Sequence, residues 1–356
     1  MADGIPTYEV AIVGAGPIGL ELAVGLKKAG VAYVHFDAGQ VGQTISWYPR
    51  QVRFFSSPER ISIAGMPLVT VDQSKASRED YLAYLRGVVD QFDLEVRTFE
   101  CVTSIRRDQR GGKFMLQTDH KGDHRSWVAR RVVLAVGDMH RPRRLEIPGE
   151  DLLHVSHYFD EPHQYFRQKL LIVGGRNSAA EAAIRCWRAG AQVSLSYRRE
   201  EFDSRSIKYW ILPELQSLIK AGQIAFFPST RPKWITADQV QLVPVGQTNA
   251  SQSTTIDVDF VLAMIGYEMD TTLFEMAGVE LNPSNQAPLF DPQTMQTNVP
   301  DLFVAGTAAA GTQTRFKLFI ENCHPHVIRL VKAITGKAPD PGLVNDSAKK
   351  YALPES

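Results

Sequence analysis

The chain has 356 residues, of which 44% are hydrophobic and 22% charged, an ordinary globular balance; at roughly 150 residues per domain this suggests about two domains. Its 39 Lys and Arg equal its 39 Asp and Glu, so the formal net charge is zero, which argues against a nucleic-acid binder or a membrane-surface protein. No apolar run reaches the roughly 18 residues of a membrane span, residues 1–8 lack the pattern of a signal peptide, and three scattered cysteines (Cys101, Cys186, Cys323) make neither a disulfide framework nor a CxxC pair, so a reducing cytoplasmic setting is expected.

Residues 9–13 form an apolar run ending at glycine, as a buried strand does. Gly14-Ala15-Gly16-Pro17-Ile18-Gly19 follows, then a predicted helix over 20–29 closed by Gly30, then a strand over 31–36 ending at Asp37. Residues 40–75 carry turn signals and aromatics without a period, which marks a functional loop or one that covers a ligand. A helix is expected over 78–92, and several strands over 94–136 with turns at Gly111-Gly112 and near 121–123. Residues 140–149, rich in Pro and Arg, read as a crossover between domains. The strand–glycine turn–helix–strand unit then recurs: strand 170–173, Gly174-Gly175-Arg176-Asn177-Ser178, helix 179–188, strand 192–197. Strands are expected over 257–265 and 301–306, each running into glycine. The last helix spans 322–335, where Pro325 is tolerable only in the first turn, and the rest reads as a mobile tail.

In the first turn Gly14 permits the tight bend, Gly16 lets a pyrophosphate approach the backbone, and Gly19 lets helix and strand pack closely. The helix start, with Pro17 at its head, offers N–H groups to phosphates. Asp37 can accept both ribose hydroxyls of an adenosine. In the second turn Asn and Ala replace the later glycines, and the strand ends at Arg198-Arg199 with no acid. Guanidinium groups there suit a 2′-phosphate, which points to NADPH held by Gly174, Gly175, Arg176, Asn177, Ser178, Arg198 and Arg199. Glu181 is either solvated or faces the nicotinamide ribose. Two nucleotide sites imply a resident carrier and a reductant, which a flavin plus NADPH supplies. Gly137, Gly266 and Gly306-Thr307 end strands where backbone can approach a cofactor; Thr44 and Trp47 are further candidates, the loop aromatics lining a flavin.

At these residues the chain resembles the pyridine-nucleotide-disulfide oxidoreductases of thioredoxin-reductase size, and more narrowly the bacillithiol-disulfide reductase (YpdA-type) family. The matching stretches are Phe54-Phe55-Ser56-Ser57, Val155-Ser156-His157-Tyr158, Gly174-Gly175-Arg176-Asn177-Ser178-Ala179, Ser206-Ile207-Lys208-Tyr209-Trp210 and Phe319-Ile320-Glu321-Asn322. The resemblance implies an α/β fold with two Rossmann-like domains. An FAD domain (1–148 and 267–336) would carry an inserted NADPH domain (149–266), ahead of the tail 337–356. It also implies a homo-oligomer (a homodimer) that reduces a low-molecular-weight disulfide, with Gly14, Gly16, Gly19 and Asp37 on FAD and Lys208 added to the 2′-phosphate site. That family carries a cysteine inside the first glycine motif, where this chain has Ile18. Cys186 reads as core, Cys101 lies among strands, and Cys323 starts the last helix, where its pKa could be lowered.

The remaining constellations are weaker. His154, His157, His163, His324 and His326 lack the companions of a metal site; His324 or His326 is either a proton donor or an exposed cap residue. Arg130, Arg131, Arg141, Arg143 and Arg144 make a local basic run, read as a solvated hinge with phosphate contacts or as a dock for an acidic protein. The expected activity is hydride transfer from NADPH to FAD and then to a disulfide or other small acceptor, a small redox protein included, without the family's cysteine. The alternatives are a ferredoxin or flavodoxin reductase, a flavin monooxygenase (with Ile147 where an aromatic is expected) and a non-catalytic NADPH sensor holding FAD. The N-terminus of the last helix, or the turn after Gly306, would stabilise negative charge at N1 and O2 of a reduced flavin.

Overall fold

Apolar runs bounded by glycine become strands in the structure, a computed structural model that describes residues 6–108, 112–246, 253–313 and 318–343. The first half of the chain forms β1 (Thr7–Val13), α1 (Pro17–Lys28), β2 (Tyr33–Phe36), α2 (Gln43–Ser46), α3 (Pro58–Ile61), α4 (Arg78–Gln91), β3 (Cys101–Arg107), β4 (Phe114–His120), β5 (Asp123–Leu134), β6 (Arg141–Pro142), β7 (Val155–Ser156) and β8 (Lys169–Val173). There follow α5 (Asn177–Arg188), β9 (Gln192–Ser196), α6 (Leu212–Lys220), β10 (Ala225–Phe227), β11 (Thr230–Ile235), β12 (Gln239–Pro244), β13 (Thr254–Asp257), β14 (Phe260–Ala263), β15 (Tyr267–Glu268), α7 (Thr272–Met276), β16 (Leu302–Val304) and α8 (Ile320–Thr335). Gly111 and residues 344–356 of the expected tail lie outside the described residues. Two compact units result: unit 1 from Met1–Ser46, Gln51–Arg141 and Glu268–Glu355, and unit 2 from Trp47–Arg50 and Pro142–Tyr267.

In unit 1, β1 runs parallel between β2 and β5. Val10, Ala11 and Ile12 are completely buried, which is why this run shows no polar alternation; Val10 and Ile12 each contribute about 1.5–3 kcal/mol of hydrophobic stabilisation. Besides β1, β5 serves two neighbours: it pairs antiparallel with β4, while its last three residues pair parallel with β16. β3 completes the antiparallel meander. Helix α4 starts at a capping box, with Ser77 Oγ accepting from Asp80 N at 3.1 Å and Asp80 Oδ2 from Ser77 N at 2.9 Å. The loop expected over 40–75 contains α2 and α3, the latter opened by Ser57 and Pro58. α8 begins at Ile320, not 322, so Pro325 lies beyond the first turn and offers no N–H to the Glu321 carbonyl.

In unit 2, five strands form a parallel sheet in the order β10-β9-β8-β14-β7, and α5 crosses over between β8 and β9. β11, β12 and β13 form an antiparallel meander. Leu171, Val173 and Val261 pack with Ile235, Val240 and Leu242 in one core. The single strand expected over 257–265 is two strands, because its ends join different sheets and the chain must turn between them. Asp259 marks the break, with Oδ2 accepting from Lys169 N at 2.7 Å. After the crossover the nearly buried Glu150 accepts from the backbone N–H of Leu145 at 2.5 Å and Glu146 at 2.8 Å. Among the described residues, no helix is long and apolar enough to cross a membrane.

Candidate functional site: two glycine turns

The turn between β1 and α1 is built by backbone contact. Gly14 has φ +107°, and a Cβ on it would stand 2.4 Å from the Ala135 carbonyl oxygen. A Cβ on Gly19 would stand 1.9 Å from the Gly14 oxygen, so α1 starts directly on the loop. Gly16, the N-cap of α1 ahead of Pro17, faces open space, with nothing within 4 Å of where its Cβ would be. A phosphate can therefore reach this backbone and the unpaired N–H groups of the helix start.

Two side chains of the β2 segment hold the turn from behind. His35 Nε2 donates to the Gly14 carbonyl at 2.9 Å. Burial lowers the His35 pKa to about 4, so the ring is neutral and Nε2 carries its proton. Asp37 Oδ2 accepts from Ala15 N at 2.6 Å and Oδ1 from Gly39 N at 2.8 Å. Burial raises the Asp37 carboxyl above its ordinary range, against the pull of those two bonds. Each carboxylate oxygen has a further lone pair for a ribose hydroxyl. α2 joins the same turn through Gly42 N, which donates to Ala15 O at 3.0 Å, and half-buried Thr44 lies on it.

Two further segments of unit 1, residues 137–138 and 306–313, meet here. Ile18, 5% exposed, packs against Gly306, where an added Cβ would lie 3.4 Å from the Ile18 Cβ. An added Cβ on Gly137 would lie 3.9 Å from Thr307 Oγ1. Asp138 accepts from Gln313 Nε2 at 2.9 Å; burial raises its carboxyl pKa while hydrogen bonds from Thr307 and Gln313 lower it. Trp47 belongs to unit 2, where its ring meets Tyr158 edge-on at 6.0 Å. Phe54 packs on Tyr81, with ring centroids 4.7 Å apart.

The turn of unit 2 follows the same plan with different chemistry. Gly174 has φ +144°, and a Cβ would stand 2.4 Å from the Met264 oxygen; on Gly175 it would meet the Tyr197 ring at 2.3 Å. Arg176 caps α5, Asn177 Oδ1 accepts from Lys208 N at 2.8 Å, and Ser178, Arg198 and Arg199 are exposed. Burial lowers the Arg176 pKa, and the positive charges of Arg198, Arg199 and Arg143 lower it further. The helix start thus gathers four guanidinium groups, an arrangement that suits a doubly charged phosphate. Sequence reasoning assigned Arg143 only to a basic run. Its backbone N–H donates to Gly266 O at 2.9 Å, and its Nε to Tyr267 O at 3.3 Å. The space where a Gly266 Cβ would sit is open. Asp203 was also missed; it lies 3.8 Å from Arg199 and 3.2 Å from Arg205 and partly neutralises the cluster. Glu181 is half-buried, and desolvation raises its carboxyl pKa against the pull of Arg185.

Other sequence expectations change. Burial pushes the Cys323 thiol up to about 12, with the charges of Asp138 and Glu21 adding to the rise, the reverse of a lowered pKa; Cys186 is buried and Cys101 exposed. Neither candidate histidine is an exposed cap. His324 Nδ1 lies 2.8 Å from Glu21 Oε2 and its Nε2 2.9 Å from the Arg60 carbonyl oxygen, and burial lowers His326 to about 4. His157 Nε2 lies 3.3 Å from Glu150. Among the described residues, no three His, Cys, Asp or Glu side chains gather as a metal site. The basic run is largely paired: Arg130 and Arg131 with Glu9 at 2.9 and 3.5 Å, Arg141 with Glu268 at 3.3 Å, and Arg144 with Glu150 at 3.5 Å.

Residues 11–306 match the pyridine nucleotide-disulphide oxidoreductase family. Bacilliredoxin reductase Bdr of Bacillus subtilis (strain 168) is 36% identical over 315 residues, 88% of this chain and 94% of Bdr. The solved structure of bacillithiol disulfide reductase Bdr (YpdA) from Bacillus cereus superposes with a TM-score of 0.87 at 33% identity, covering 93% of this chain and 99% of that one. Lactococcus lactis thioredoxin reductase, at 19% identity, shares the fold with a TM-score of 0.71 over 92% of this chain and 98% of its own. The chain therefore belongs to the pyridine nucleotide-disulphide oxidoreductase family, with thioredoxin-reductase-like architecture, and is an FAD- and NADPH-dependent flavoprotein oxidoreductase.

Proposed function

We propose that unit 1 holds FAD and unit 2 holds NADPH, and that two electrons pass to the disulfide of a small thiol or small redox protein with no cysteine of this chain as relay. Unit 2 is then an NADPH-binding insertion in a discontinuous FAD domain. The observation that carries the reading is the contrast between two similar turns. One is backed by an acid that suits unphosphorylated ribose, Asp37; the other is ringed by guanidinium groups that suit a 2′-phosphate. The relatives' names, bacilliredoxin reductase and bacillithiol disulfide reductase, support a disulfide as acceptor. Free cysteines throughout suit a reducing cytoplasm, and we take the chain to act there as a homo-oligomer.

In this reading Gly14, Gly16, Pro17 and Gly19 present the α1 start to the FAD pyrophosphate, and Asp37 takes the ribose. Thr44, Gly137, Gly306 and Thr307 supply close backbone and hydroxyl contacts along the same cofactor. Gly174, Gly175, Asn177 and Ser178 present the α5 start to the NADPH pyrophosphate. Arg176, Arg198, Arg199 and Lys208 take the 2′-phosphate, and Gly266 leaves room nearby. When bound, FAD supplies the two-electron chemistry between NADPH and acceptor; the balance is NADPH, one proton and a disulfide giving NADP⁺ and two thiols. Ile18 places a hydrocarbon where a relay thiol would stand, so no covalent link to substrate forms at that position.

Anaerobic NADPH should bleach the yellow holoenzyme, and a small disulfide should then restore the colour rapidly. A flavin that NADPH does not reduce overturns the reading. Rapid re-oxidation by ferredoxin or oxygen alone overturns the choice of acceptor. Arg198→Ala combined with Arg199→Ala should raise KM for NADPH roughly 10–100-fold, as expected from losing about 1.5–3 kcal/mol of charge-assisted hydrogen bonding, and that for NADH by less than about threefold. Equal increases would remove the phosphate from this cluster.

A further inference from the structure

One arginine of the basic run stands apart from the others. Arg130, Arg131, Arg141 and Arg144 each pair with a carboxylate. Arg143 is half-buried and, among the described residues, bonds to carbonyl oxygens: its N donates to Gly266 O at 2.9 Å and its Nε to Tyr267 O at 3.3 Å. Those bonds fix the stem and leave the full positive charge in place. They also decide where that charge sits. After β14 the chain runs past the second glycine turn, with Met264 N donating to Val173 O at 2.8 Å and the Met264 oxygen filling the place of a Gly174 Cβ. Gly266, two residues on, has φ +99° and open space where its Cβ would be. A cation is thus held at the rim of a gap beside the start of α5, close enough for its charge to be felt at Arg176.

This position separates Arg143 from Arg198 and Arg199. Those two follow β9, and β8 lies between β9 and β14 in the sheet, so the two flanks stand about 10 Å apart at the backbone. A dinucleotide lies across the carboxyl ends of such strands, with its pyrophosphate on the glycine turn and its adenosine ribose towards the end of the next strand. The 2′-phosphate then falls on the β9 flank. The pyrophosphate falls between the flanks, where the α5 start supplies N–H groups but only a partial positive charge against two full negative ones. We infer that Arg143 binds the pyrophosphate of NADPH from the β14 flank. The inference rests on unit 2 being the NADPH site and adds to it a charge-assisted contact that phosphorylated and unphosphorylated dinucleotides share. Arg143 therefore sets affinity, whereas Arg198 and Arg199 set the choice between NADPH and NADH.

The test titrates two ligands calorimetrically into the FAD-loaded enzyme: NADP⁺, which has the pyrophosphate, and 2′-AMP, which has the base, the ribose and the 2′-phosphate without it. Arg143→Ala should weaken NADP⁺ at least tenfold (about 1.4 kcal/mol) and leave 2′-AMP within about twofold of wild type, while KM for NADPH and for NADH should rise by the same factor. Arg143→Lys keeps the charge but loses the Nε bond to Tyr267, and should recover most of the NADP⁺ affinity; a residue that only braces the chain would not be rescued in this way. Unchanged NADP⁺ affinity in Arg143→Ala overturns the inference and leaves the NADPH site standing. So does equal weakening of both ligands, which moves Arg143 to the 2′-phosphate, and so does a Lys variant as weak as the Ala one. A wild-type enzyme that binds neither ligand overturns the site and the inference together.

Discussion

Gly16→Ala should fold like the wild-type apoprotein yet lose at least about tenfold in FAD affinity (~1.4 kcal/mol), whereas Gly19→Ala should not yield a folded chain. The two glycines lie three positions apart in the same turn and face opposite obstacles. Gly16 has φ −72° and ψ 180°, which any residue adopts, and a methyl there meets nothing within 4 Å. Its only cost would fall on a ligand approaching the backbone, as the FAD reading requires. At Gly19 the methyl would meet the Gly14 oxygen at 1.9 Å and the His35 Nε2 at 3.4 Å. The first obstacle is backbone, pinned by its bond from His35, so no side chain can swing away. The cost exceeds the roughly 1–3 kcal/mol of ordinary overpacking, in a protein whose total stability is expected near 5–15 kcal/mol. Apoprotein melting and flavin titration measure both; unchanged FAD affinity in Gly16→Ala would remove the cofactor from this turn.

The second large effect concerns pH and His324. Its Nε2 faces the Arg60 carbonyl and its Nδ1 the Glu21 carboxylate, and both partners only accept hydrogen bonds, so the ring satisfies both only as the imidazolium. Burial opposes that charge, but the hydrogen bond and charge of Glu21, with the Arg60 carbonyl and Glu321 assisting, raise the His324 pKa above 6.5. Cys323 and Tyr84, both with raised pKa values, are neutral neighbours of Glu21. A pKa raised on folding gives stability that is complete below the unfolded value of 6.5 and is lost as pH climbs through the folded value. His35 and His326 have the opposite sign. Both are lowered to about 4, so each contributes stability above 6.5 that is lost at about 1.4 kcal/mol per pH unit as pH falls towards 4. The stability of unit 1 should therefore decline on both sides of pH 6.5. His324→Leu should remove the alkaline decline and cost about 3–5 kcal/mol at pH 6.5, because it leaves the Glu21 carboxylate buried without its cation. Hydrogen exchange of the α8 amides between pH 5 and 9 reads both effects; an alkaline decline that persists in the variant would assign it elsewhere.

How much of this was legible beforehand depended on how local each signal was. Both glycine turns, the acid after β2 and the arginines after β9 could be read because a turn, its helix and the following strand end lie within about thirty residues. The start of α8 was misplaced because Pro325 looked like an early-helix residue, while the cap is Asn322 Oδ1 accepting from Phe319 N at 2.8 Å. The run over 257–265 hid a change of sheet, since a continuous apolar stretch carries no mark of which neighbour it will pair with. Arg143 and Asp203 join the second turn from segments whose own pattern shows only charge. His324 looked like a surface residue because its acid lies on α1, about 300 positions away, and no local spacing announces such a pair.

The bonds from His35 to Gly14 and from Asp37 to Ala15 brace the first turn with the protein's own side chains and not with the guest it receives. A receptacle that keeps its shape this way has little ordering entropy left to lose when the guest arrives. Dialysis of the coloured enzyme against chaotropic halide should therefore leave a durable empty shell that can be refilled, rather than a collapsed chain.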